Sequence, residues 1–414
     1  MYTFKENINQ QDFENFAASY SCAPIQQTLA WPKLKSNWKS VFCGVYNDDV
    51  LCGAALVLIR NLLPGFSTAY CPRGPLLDYS DEEAVKAFTD GARELCKKHG
   101  AYELLVDPLI PYGLTLPNID EKNYYNPYNI EQGQKQHETL VKAGFRHGGF
   151  GKSLHDTLQP RFNAMIPLCN ADGEPLSAQA LKKNLPSRMR TYFGGFRDAR
   201  GLYCEKAELT DENFKLFETV LQKTEERQNI SLRNAAYFKQ LCEAFGEGNA
   251  EIYFQRCNVN VYLKTLRDRL AKEPENAEKI NEQIAEAEKV IAEDGEVITL
   301  AAVLTVFPPN KDGIRIAEYL YGGTDLSRFA PFRAMPGLLF DQCLICIERG
   351  VHYLNLGGLA GTFDDGLFNF KNHFNPMFLE YAGEFTLVID PLKYNIMTKA
   401  MPTLKKVYRK IFAR

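Results

Sequence analysis

The sequence has no apolar run of the ~20 residues that a helix needs to cross a bilayer, so no membrane span is expected. It opens MYTFKENINQQDF, with neither a basic segment nor an apolar core. That excludes a secretory signal and points to a cytoplasmic protein. Charge of one sign is also missing. Lys and Arg number 48 against 51 Asp and Glu, a net charge of −3, which removes any global pull toward nucleic acid. There is no GxxxxGK[ST] phosphate loop, and Gly322-Gly323 and Gly357-Gly358 do not fit the dinucleotide fingerprint. GxSxG, HExxH and paired CxxC sites are absent too. The eleven cysteines are scattered, mostly in apolar contexts, as expected of buried free thiols in a reducing compartment. The one close pair, Cys343 and Cys346, lies in a helical pattern with no histidine at ligand spacing, so neither a metal nor a cofactor is expected. Catalysis, if present, must rest on positioning, charge stabilisation and proton transfer.

What is there is a globular chain of 414 residues, long enough for two or three domains. Residues 12–40 read as a helix, a break and a second helix containing Trp31, Lys33, Lys35 and Trp38. Residues 41–60 read as a hairpin turning at Asn47-Asp48-Asp49. A strand carrying Arg73, an amphipathic helix over 81–99 and a strand ending at Asp107-Pro108 follow. This order is mixed α/β. A second unit begins near Pro160. It contains a basic run over 182–200, helices over 212–228 and 234–245, a second hairpin pattern over 297–323 and a helix over 331–349. The repeated hairpin pattern suggests two related halves.

Residues 261–293 differ from their surroundings. Leu263, Leu266 and Leu270, then Ile280, Ile284, Ala287 and Ile291, recur at helical steps among charged residues, with a break at Pro274. Two helices forming a narrow antiparallel coiled coil are expected, inserted in a sheet domain. The tail from Leu392 alternates basic and apolar residues. It reads either as an amphipathic helix touching an anionic membrane face or as a solvated terminal helix.

The stretch 355–376, NLGGLAGTFDDGLFNFKNHFNP, concentrates the unusual chemistry. Glycines remove side chains where a strand ends, Asp364 and Asp365 suit a helix start, and Lys371 sits among aromatics. Such a lysine is either a snorkelling surface charge or a cation facing an anion.

Six segments in order resemble one family: WPKLKSNW, CPRGPLLD, AYELLVDP, Arg233-Asn-Ala-Ala-Tyr237 after Arg227, EYLYGGT and GLFNFKNHF. They resemble the FemA/FemX/MurM (FemAB) aminoacyltransferases, which move amino acids from aminoacyl-tRNA to the stem peptide of peptidoglycan precursors. The resemblance covers roughly residues 1–390. It implies two domains of acyl-CoA N-acetyltransferase (GNAT) type, over 1–160 and 161–380, with 381–414 packing back on the first and a coiled-coil arm over 258–295 that helps contact tRNA. It implies that Lys35 and Arg233 hold the precursor's phosphates, with Lys33 a rival to Lys35. Tyr237, Tyr102, Tyr321, Arg73 and Phe370 are implied as further substrate contacts. Lys371 is implied nearest the acyl transfer, and Asp107 is the carboxylate weighed as general base. The implied partners are aminoacyl-tRNA as co-substrate and a peptidoglycan precursor; the arm and the basic tail favour lipid II over UDP-MurNAc-pentapeptide and a peripheral contact with the inner membrane face, and a monomer or weak dimer is expected. Two other readings stay open: a GNAT-fold N-acyltransferase with another acceptor, and a non-catalytic relative that binds tRNA or membrane. Neither the donated amino acid nor the number added is encoded in a motif.

Overall fold

The computed structural model describes residues 1–116 and 123–400. Its strands are β1 (Tyr2–Glu6), β2 (Lys39–Asn47), β3 (Val50–Leu63), β4 (Phe66–Cys71), β5 (Ala101–Val106), β6 (Pro111–Thr115), β7 (Arg146–His147), β8 (Phe162–Pro167), β9 (Leu202–Lys206), β10 (Ala250–Asn258), β11 (Val297–Val306), β12 (Ile316–Thr324), β13 (Tyr353–Leu359), β14 (Met377–Tyr381) and β15 (Phe385–Val388). They form two mixed sheets. The first runs β1-β2-β3-β4-β5-β15-β7 and the second β6-β14-β8-β13-β12-β11-β10-β9. The fold is therefore mixed α/β, as the element order predicts. The sheets exchange strands: β6 joins the edge of the second sheet, and β15 inserts between β5 and β7 of the first.

Local chemistry explains the elements. Asp48 takes the left-handed conformation (φ 53°) that the β2–β3 turn requires. The helix Glu82–Lys98 starts at Asp81, whose carboxylate accepts from the amides of Glu83 and Ala84. It buries Val85, Phe88, Ala92 and Leu95, spaced three and four apart, against the first sheet. The second helix expected before residue 40 is absent; Trp31–Leu34 makes only a 3-10 turn. The buried Gln27 side chain explains this. It donates to the Pro72 carbonyl (2.7 Å) and accepts from the Leu56 amide (2.7 Å), which ties the preceding loop to the sheet instead of leaving it free to coil.

The sheets meet through a shared core. Phe13, Ile25, Trp31, Phe42 and Leu56 from the N-terminal part pack with Phe217, Phe238, Phe254 and Leu304 of the second. Two helices, Val259–Lys272 and Ala277–Asp294, fold back on each other between β10 and β11. Leu263, Leu266, Ile280, Ala287 and Val290 are buried in that hairpin, and Arg267 bridges to Glu288 at 2.8 Å. The basic run over 182–200 is partly spent internally. Arg197 holds Asp341 (2.8 and 2.6 Å), and the Arg200 guanidinium lies 3.6 Å over the Phe196 ring. Among the described residues no helix is long and apolar enough to cross a membrane. Of the basic tail, Lys405, Lys406, Arg409, Lys410 and Arg414 lie outside the described residues.

Candidate active site

β12 and β13 run parallel but pair over only three positions, from Ile316 with Tyr353 to Glu318 with Asn355. Beyond that point β12 continues against β11, while β13 stays with β8, its partner from Tyr353 onward, and pairs Gly358 with Asn163 after an irregularity. The two strands part at their carboxyl ends. Such a crevice is where ligands bind in open α/β sheets. Gly357 takes φ +81°, which favours glycine. Its amide donates to the Asn355 side chain (2.8 Å), which in turn donates to Asn163 (3.3 Å).

The helix Gly366–Asn372 stands over this crevice. Asp365 caps it by accepting from the Phe368 amide (2.6 Å), as a carboxylate at a helix start should. Lys371, in its last turn, is only 4% exposed, so it does not snorkel. Its ammonium donates to the Gly358 carbonyl (2.6 Å). Burial pushes its pKa down to about 7, against the opposing pull of Asp365. A lysine buried with this little compensation is the kind of group that active sites hold.

A second set of side chains converges from both halves of the chain. The Lys35 ammonium lies 5.2 Å from the Trp31 ring centroid, and the Arg233 guanidinium lies 5.1 Å from that of Tyr237. Tyr237 and Tyr321 meet edge-on at 6.2 Å, and Tyr237 and Arg233 both lie close enough to the Tyr321 hydroxyl to bias its ionisation. Burial raises the Tyr321 pKa, so it stays a neutral phenol. Lys35 is pushed down first by burial and then by the nearby Arg233 charge. Two cations held together while partly desolvated are poised for an anion. Lys33 does not share this place. Its side chain is exposed, and its carbonyl accepts from Gln240 (2.8 Å), which anchors the turn to the Ala235–Phe245 helix.

Asp107 is 1% exposed. Its carboxylate accepts from the Arg73 amide (2.6 Å) and the Tyr70 hydroxyl (2.8 Å), and burial pushes its pKa up to about 6. Both oxygens are taken, so the geometry gives Asp107 a bracing position and no open face toward an acceptor amine. Arg73 donates to the Pro160 carbonyl (2.9 Å) and lies 5.2 Å over the Tyr381 ring, which ties the first half to the second. Tyr102 is not brought to the crevice. It is buried edge-on against Phe66 (6.4 Å), and its carbonyl holds the amides of Ile389 and Asp390. Phe370 packs edge-on against Phe374 (5.9 Å) at the second sheet's core.

Sequence reasoning missed Glu318. It occupies the last paired position before β12 and β13 part, beside Asn355 and within the field of Arg73. Burial pushes its carboxyl up to about 7. A signal was available: an acid stands two residues from Ile316, on the same face of an otherwise apolar strand.

Comparisons with known proteins bear on the family and the fold. Lipid II:glycine glycyltransferases of Staphylococcus aureus strains RF122 / ET3-1 and USA300 are each 25% identical over 446 residues, covering 98% of this chain and 98% of theirs. The crystal structure of FemX covers 95% of this chain and 99% of its own, with a TM-score of 0.74 at 24% sequence identity. The FemAB family matches residues 8–284 and 268–401, nearly the whole length, and the chain belongs to that family.

Proposed function

We propose that this protein transfers an amino acid from aminoacyl-tRNA to an amino group of a peptidoglycan precursor's stem peptide, with lipid II as the acceptor. The observation that carries the reading is the meeting of Lys35, Arg233, Tyr237 and Tyr321, from both halves of the chain, in one two-cation cluster. A diphosphate suits it: arginine gives a bidentate fork, lysine a point charge and tyrosine a neutral donor. The family and the glycyltransferase names of its relatives support the transferase chemistry.

The acceptor amine attacks the ester carbonyl carbon of the aminoacyl group. A C–N bond forms, the C–O bond to the tRNA ribose breaks, and one proton passes from the amine to the departing oxygen. Lys371, in its protonated form, stabilises the oxyanion of the tetrahedral intermediate. Glu318, at the mouth of the parting strands, is the carboxylate placed to take the amine proton. The test is incubation with mixed aminoacyl-tRNAs and either lipid II or UDP-MurNAc-pentapeptide, then mass spectrometry of the stem peptide. A mass gain of one amino-acid residue on lipid II is expected. No gain on either precursor overturns the reading.

A further inference from the structure

We propose that the tip of the β3–β4 hairpin, with the Pro391–Asn395 helix beside it, docks the protein onto an anionic phospholipid surface. The proposal rests on the reading that the acceptor is lipid-linked. β3 outruns its neighbour: pairing with β2 ends at Lys39 with Ile59, while β3 and β4 stay paired from Arg60 with Thr68 to Leu63 with Phe66. β5 accompanies β4 as far as Ser67, opposite Ala101, so the tip over residues 62–66 projects past the sheet as a two-stranded ribbon. It turns at Pro64-Gly65, where a Cβ added to Gly65 would meet nothing within 4 Å.

The ribbon's tip is apolar and rimmed with positive charge. Leu62 and Leu63 are adjacent and 38% and 42% exposed, and Leu392 on the neighbouring helix is 72% exposed. Single exposed leucines are ordinary, but a cluster joined to aromatic rings is not. Trp38 and Phe66 are half-buried beside it. Each carries a cation over its face: Arg60 lies 5.6 Å from the Trp38 ring and Lys393 lies 5.8 Å from the Phe66 ring. Exposed Lys39 stands at the ribbon's base. Of the acids nearby, Asp390 lies 3.9 Å from Lys393 and Glu103 is buried, accepting from Thr68 (3.1 Å). Residues 401–414, which follow the same helix, hold five Lys and Arg and no Asp or Glu. Leucines that reach the acyl boundary, aromatics at headgroup depth and a cationic rim together fit an anionic bilayer.

Position supports the same occupant. The Trp38 amide donates to the Lys35 carbonyl (2.8 Å), so the ribbon adjoins the two-cation cluster. A lipid-linked diphosphate lies at the headgroup plane. A protein that grips it there needs its membrane contact beside that grip, not across the molecule.

The experiment is vesicle flotation of the full chain, on phosphatidylcholine alone and with a third of the lipid replaced by phosphatidylglycerol. The wild type should float with the anionic vesicles, with a blue shift of its tryptophan emission. Arg60→Glu/Lys393→Glu should lower partitioning about 25-fold or more, since each surface cation is worth roughly a factor of five, and Leu62→Ser/Leu63→Ser should lower it about tenfold through lost apolar contact. Transfer to soluble UDP-MurNAc-pentapeptide should not change in these variants, while transfer to lipid II in vesicles should fall. Partitioning equal to wild type in both variants overturns the proposal and leaves the transferase reading standing. A wild-type dimer that the leucine variant dissociates, with vesicle binding unchanged, assigns the tip to a second copy and overturns it too. Loss of vesicle binding in the variants of a wild type that transfers nothing to either precursor sinks the transferase reading and leaves the docking surface standing.

Discussion

Among the described residues each sheet contains one pair of adjacent parallel strands, and the two pairs end differently. β4 and β5 stay paired to their last residues, Cys71 with Val106. Asp107 then closes the mouth by accepting from the Arg73 amide and the Tyr70 hydroxyl. β12 and β13 pair for three residues and separate, and Lys371 hangs over the gap with one bond to the Gly358 carbonyl. One mouth is closed by a carboxylate that both its neighbours use. The other stays open and holds a lysine and a glutamate whose pKa values burial brings toward neutrality. Similar strand layouts thus serve different ends: the closed pair braces the molecule and the open pair holds the chemistry.

The largest effect expected from breaking this contrast is at Lys371. Lys371→Met should lower single-turnover transfer roughly 10²–10³-fold, the loss typical of one oxyanion donor. Its melting temperature should hold or rise, because a buried charge with little compensation is replaced by an apolar chain of similar length. A melting temperature that collapses along with activity would make Lys371 a structural residue.

The second effect concerns pH. Glu318 gains its charge as pH rises through about 7, and Lys371 loses its charge through about 7. The kcat/KM profile should therefore be a narrow bell near neutrality, with its acid limb from Glu318 and its alkaline limb from Lys371. Glu318→Gln should lower the rate by about 10²-fold and remove the acid limb while the alkaline limb stays. An unchanged acid limb would assign it to another group.

Arg233→Ala and Lys35→Ala should each raise KM for the acceptor about 10-fold or more with little change in kcat, as expected when a charged hydrogen bond worth ~1.5–3 kcal/mol is lost. The double variant should fall short of the product of the two, because the cations share one ligand. A drop in kcat with KM unmoved would place the cluster at the reacting atoms instead. The smallest expected change is confined to the closed mouth. Asp107→Ala leaves the Arg73 amide and Tyr70 hydroxyl unsatisfied and should cost ~1–3 kcal/mol in urea unfolding.

Much of this architecture was legible before any coordinates. The Glu82–Lys98 helix announces itself through its apolar spacing and its Asp81 cap, and the β2–β3 hairpin through Asn47-Asp48-Asp49. The absence of a second helix before residue 40 was not legible, because Gln27's bonds to residues 56 and 72 override local preference. Lys371 stood out among aromatics, but its burial did not. Glu318 and Tyr102 show the limit from opposite sides. Each is a polar side chain on a strand, and only sheet pairing puts the first at an open mouth and the second beneath the C-terminal helix.

By itself, the sequence determined the family, the mixed α/β class, the helical hairpin between β10 and β11, and the residue types available for charge stabilisation. Those follow from periodicity, capping and motif order, which act within a few residues of chain. Only the tertiary structure decided which of the two parallel pairs separates, which lysine of residues 33 and 35 turns toward Arg233, and which carboxylate has both oxygens engaged. These outcomes depend on desolvation and on hydrogen bonds between segments tens to hundreds of residues apart, and no local pattern encodes them.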